Sequence, residues 1–116
     1  MPNYLLQASY TPEAWSRLVA NPHDRTEAVR GPIEKLGGRI LNMFFAFGES
    51  DVVSILEMPN NVNAAAIAIA FAAGGAVKNV KTTPLMTAAE ALEAIKKAGT
   101  SGYKSITAGA AAAGQH

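Results

Sequence analysis

A chain of 116 residues with a net charge of +1 carries one domain and one core, and 49% hydrophobic against 16% charged residues exclude general disorder. Its ten basic and nine acidic residues are scattered, so no dense cationic stripe points to nucleic acid. The absence of cysteine excludes disulfides, thiolate metal sites and a cysteine nucleophile, and fits a reducing cytoplasm.

The first strand spans Asn3 to Tyr10, and the preceding residues have neither the basic segment nor the apolar run of a signal peptide. Thr11-Pro12-Glu13 then opens a helix, with threonine as cap, proline at the first helical position and an acid in the first turn. Trp15, Leu18 and Val19 lie at helical spacing. Asn21-Pro22-His23-Asp24 interrupts, because the residue before a proline leaves the α region. A second helical segment runs from Arg25 to Leu36 with Ala28, Val29, Ile33 and Leu36 as its stripe; Pro32 predicts a kink or break. Gly37-Gly38 stops it.

The second strand, Arg39 to Gly48, is apolar on both parities. Strict alternation puts Ile40, Phe44 and Ala46 on one face and Leu41, Met43, Phe45 and Phe47 on the other. Glu49-Ser50-Asp51 is a short turn into a third strand, Val52 to Met58, which predicts an antiparallel hairpin. After Pro59-Asn60-Asn61, with Asn61 or Asn63 as cap, an alanine-rich helix covers 64–73 and ends at Gly74-Gly75. The apolar stretch 64–76 falls short of the roughly 20 residues a membrane span needs, so it reads as a buried helix. The fourth strand, Ala76 to Pro84, carries two lysines suited to an edge. Thr87-Ala88-Ala89-Glu90 has the form of a capping box and opens a terminal helix to Ala98, with Leu92 and Ile95 as its stripe. The domain thus covers 1–98, and a Gly/Ala-rich tail follows over 99–116.

The order is βαββαβ with an added helix. It predicts an α+β, ferredoxin-like fold: a four-stranded antiparallel sheet with helices on one face. The uncovered face must then hide the second apolar parity of strand two. Burying one phenylalanine stabilises by about 1.5–3 kcal/mol, so a wet face is costly. Two sheets packed face to face, as in a dimeric α/β barrel, remove that cost, and homo-oligomerisation is the expectation.

Several segments resemble the GYD-domain family of small ferredoxin-like proteins in bacteria and archaea. They are the opening strand through Ser9-Tyr10-Thr11, Glu34 to Arg39, Phe47-Gly48-Glu49-Ser50-Asp51-Val52-Val53, and Val80-Lys81-Thr82-Thr83-Pro84-Leu85. Together they span about residues 3 to 90. Ser50 stands where the tyrosine of the Gly-Tyr-Asp signature is expected. The resemblance implies the fold and a pairing of subunits, and assigns no reaction.

Candidate site residues are few. Glu49 and Asp51 could perturb one another or hold a polar ligand, or they could simply form a turn. His23 has the chemistry of an acid or base, but sits in a polar loop where solvated histidines are ordinary. Tyr4, Tyr10, Trp15, Phe44, Phe45 and Phe47 could line a cavity or fill a core. Asn42 and Ser54 are polar intruders in apolar strands, as ligand anchors or structural hydrogen bonders. With no cysteine and only His23 and His116, no transition-metal site or cofactor is expected, and neither glycine pair matches a phosphate loop.

The leading reading is a cytoplasmic homo-oligomeric ligand-binding or accessory protein that holds a small hydrophobic or aromatic molecule between sheets, through Tyr10, Asn42, Phe44 and Ser54. Nucleic acid and membrane are not expected partners. A second reading is a cofactor-free oxygenase, isomerase or dehydratase of the dimeric α/β barrel type, with Asp51 and His23 transferring protons. It requires both groups at one cavity. A third is a structural subunit assembled through its tail.

Overall fold

The computed structural model describes residues 1–106. The Ala/Gly-rich stretch 107–116, and with it most of the expected tail, lies outside the described residues. The chain divides into two units, Met1–Leu85 and Met86–His116.

The first unit contains β1 (Asn3–Tyr10), α1 (Pro12–Ala20), α2 (Arg25–Lys35), β2 (Arg39–Phe45), β3 (Val52–Glu57), α3 (Asn61–Ala73) and β4 (Val77–Leu85). Its sheet has the order β2-β3-β1-β4 with every neighbour antiparallel, which is the ferredoxin-like arrangement. β4 and its lysines 78 and 81 are therefore at an edge, as expected. The even-numbered residues Tyr4, Leu6, Ala8 and Tyr10 of β1, and Val52, Ser54 and Leu56 of β3, face the helices and are buried. Ile33 of α2 and Ala64 and Ile67 of α3 close over them.

Local chemistry sets most boundaries. Thr11 caps α1 by accepting from the Ala14 N–H at 3.2 Å. α2 continues through Pro32 without a break. Its end is a Schellman motif: the Gly38 N–H donates to the Ile33 carbonyl and the Gly37 N–H to the Glu34 carbonyl, with Gly37 at φ 85°. α3 begins three residues earlier than the sequence suggests, because Asn60 is the cap and accepts from the Asn63 N–H at 2.9 Å. Asn61 and Asn63 are then free for other bonds. Asn61 Oδ1 accepts from the Tyr4 hydroxyl at 2.6 Å, and Asn63 donates to the Leu36 carbonyl at 2.8 Å.

One departure changes which residues share a face. β2 stops at Phe45, and a bulge at Leu41 shifts its register against β3. Ile40 pairs with Leu56, but Met43 pairs with Ser54 and Phe45 with Val52. The extra residue resets the alternation, so Ile40, Met43 and Phe45 all face the helices. Strict parity had separated Ile40 from the other two. Asn42 and Phe44 pair with Ile55 and Val53 on the open face. That face carries Leu5, Val53, Ile55 and Phe44 across three strands, and Phe44 is 59% exposed.

In the second unit α4 (Ala88–Gly99) starts with the expected capping box. The Thr87 N–H donates to Glu90 Oε1 at 2.8 Å and the Glu90 N–H to Thr87 Oγ1 at 3.1 Å. Lys96 and Lys97 lie in its last turn, where the helix dipole favours cations.

Candidate functional site

Two clusters of buried residues make up the core of the first unit. One gathers Tyr4, Leu6, Ile33, Leu56, Met58 and Ile67, and the other Tyr10, Ala14 and Val52. A partly open cavity of about 270 Å³ lies between the sheet and helices α2 and α3, lined by members of both clusters. Its origin is side-chain size. Ala8 on the sheet, Ala70 on α3, and Gly74 and Ala76 after it are all at the lining, and none reaches far enough to fill the gap between layers. Val29, Ile33 and Phe71 complete the apolar wall.

The cavity is therefore on the helix side of the sheet and within a single chain, a different place from the space between two sheets expected of a paired assembly. The reason is again residue size: Ala8 and Ser54 leave a gap among the larger helix-facing side chains Leu6, Tyr10 and Leu56.

Three polar side chains reach the lining: Tyr10, Ser54 and Arg25. Ser54 is fully buried, and its hydroxyl donates at 2.8 Å to the carbonyl of Asn42, beside the bulge. Its hydrogen is thus committed to the backbone of β2. Tyr10 packs edge-on against Trp15 at 5.0 Å and stacks on Phe45 at 6.3 Å. Burial pushes the Tyr10 hydroxyl above the ordinary phenol range; the neighbouring Arg25 guanidinium opposes that shift and the Asp51 charge adds to it.

The expected site residues separate. Tyr10 and Ser54 line the cavity, while Asn42 and Phe44 belong to the opposite face of the sheet. His23 is exposed and is not part of the lining. Its Nδ1 lies 2.9 Å from the Asn21 carbonyl and its Nε2 3.1 Å from Arg25 Nη1. A carbonyl only accepts and a guanidinium only donates, so this geometry selects the neutral tautomer with hydrogen on Nδ1. Arg25, which the lining includes, passed unweighed at the sequence level. A signal was there: a cation at the first residue of a helix opposes the helix dipole.

Asp51 is likewise absent from the lining. Its Oδ2 accepts from the Tyr10 N–H at 2.9 Å, its own N–H donates to the Ala8 carbonyl at 2.9 Å, and the Ser9 hydroxyl donates to the Glu49 carbonyl at 3.1 Å. The turn 48–51 thus bolts onto the end of β1 and holds Tyr10 at the cavity. Asp51→Ala strands the Tyr10 N–H and is expected to destabilise by about 1–3 kcal/mol. Asp51→Asn keeps an acceptor oxygen and should lose less than half as much in chemical denaturation. Equal losses in the two variants would contradict this role. Among the described residues no three histidine or acidic side chains come together as a metal-binding set.

The same turn lies inside a match that extends well beyond it. The GYD domain family model matches residues 4–95. The chain belongs to the GYD-domain family. No curated protein and no solved structure matches it. In this GYD-domain protein the Asp51 carboxylate is committed to the backbone of β1. Among the described residues no helix is long and apolar enough to cross a membrane.

Proposed function

We propose that this GYD-domain protein is a cytoplasmic small-molecule-binding protein, homo-oligomeric through its open sheet face, and that its ligand occupies the cavity under α2 and α3. The observation that carries the reading is the cavity itself. Protein interiors are close-packed, and voids much larger than a water are few. An apolar cavity of about 150 Å³ already takes benzene, and this one, at about 270 Å³, has room for a substituted ring or a short branched chain. Its walls are mostly aliphatic with a few convergent polar groups, the usual make-up of a ligand site. The ligand is accordingly a small hydrophobic or aromatic molecule.

Ala8 is buried and belongs to the lining, so Ala8→Leu fills the space from the sheet side. A panel of small aromatic compounds is expected to raise the unfolding temperature of the wild type and to leave folded Ala8→Leu unmoved. Identical shifts in both proteins would place the binding elsewhere. The catalytic alternative with Asp51 and His23 gains no support, since neither group reaches the cavity.

A further inference from the structure

Among the described residues, Arg25 is the only charged side chain at the lining. It is half-buried, and none of the three ion pairs among the described residues includes it. Its hydrogen-bonding partners, the His23 ring and the Tyr10 hydroxyl, carry no negative charge, and they leave N–H groups of the five a guanidinium carries for an anion. Asp24, next to it in the chain, accepts from the Thr26 N–H, and Asp51, which acts on Tyr10, accepts from the Tyr10 N–H. A cation partly withdrawn from water and left without an anion is costly, and sites keep such a charge where a ligand supplies the counter-charge.

We propose that the cavity selects an amphipathic monoanion: a small aromatic or aliphatic body bearing one carboxylate, which Arg25 and the Tyr10 hydroxyl receive while the body enters the apolar space. The inference rests on the ligand-binding reading above and adds the chemical class. One cation matches one negative charge, whereas a phosphate dianion would leave charge unbalanced at this lining. The planar guanidinium fork also fits a carboxylate in two parallel hydrogen bonds. His23 is a positioning residue here, holding the guanidinium from the solvent side.

The test is calorimetric titration of wild type, Arg25→Met and Arg25→Lys with matched pairs: benzoate and benzamide, phenylacetate and phenylacetamide, hexanoate and hexanamide. Circular dichroism checks that each variant is folded. At least one acid is expected to bind the wild type roughly tenfold or more tightly than its amide. Arg25→Met should erase that preference without weakening the amide, and Arg25→Lys should keep part of it. Equal affinity of acid and amide for the wild type overturns the carboxylate assignment while the cavity reading stands. Failure of every compound to bind, or binding undiminished in Ala8→Leu, overturns both.

Discussion

Gly38→Ala is expected to destabilise the domain by about 3 kcal/mol, the upper range for forcing an extra methyl into a packed core. A Cβ at this position would lie 2.3 Å from Met58 Sδ and 2.4 Å from the Glu57 carbonyl oxygen. Neither can yield easily. Met58 is fully buried in the larger core cluster, and Glu57 is held in the ladder of β3. Relief requires the entry of β2 to move away from β3, which strains the Schellman motif that ends α2. For a domain of this size the loss corresponds to roughly 12–24 °C in Tm. Gly31 provides the contrast. It sits inside α2 and a Cβ there meets no atom beyond its chain neighbours, so Gly31→Ala should change stability by less than about 1 kcal/mol, the gain in helix propensity being offset by the crowding that Pro32 imposes on a helical residue before it. Thermal unfolding of the two variants decides the matter, and a drop under 1 kcal/mol for Gly38→Ala would refute the close approach.

The second large effect concerns assembly. Ile55 lies in the open face, paired with Leu5 on β1 and Asn42 on β2, with Val53 and Phe44 beside it. If two such faces pack together, Ile55→Lys places an unpaired ammonium in a dry interface. That costs about 3 kcal/mol or more, beyond a hundredfold in the dissociation constant. Light scattering is expected to give the wild type a multiple of 12.1 kDa and folded Ile55→Lys the single-chain mass. On the helix side nothing changes, so the cavity should still bind its ligand unless the partner also shapes it. A wild type that scatters as a single chain at high concentration would sink the paired-sheet proposal.

How far these features were legible follows from how local each one is. The capping box of Thr87 and Glu90 spans four residues, and its bonds form as the spacing implies. The edge position of β4 was readable from two lysines. Gly37-Gly38 announced a helix stop, yet the stricter demand on Gly38 comes from Met58, twenty residues along the chain. Asp51 looked like a turn residue or a catalytic acid, and its partner is the Tyr10 N–H, 41 positions earlier. The faces of β2 were misassigned because a bulge leaves no mark in an uninterrupted apolar run.

Periodicity, caps and breakers work over three to five residues, so the amino-acid order alone was enough for the βαββαβ succession, the ferredoxin-like sheet and the greasy second strand. Folding alone decided where space remains. The cavity arises because Ala8, Ala70, Gly74 and Ala76, distant in the chain, meet across two layers, and Arg25 acquires a role only by standing at that gap. A void is a property of what several elements jointly fail to fill, and no single segment encodes it.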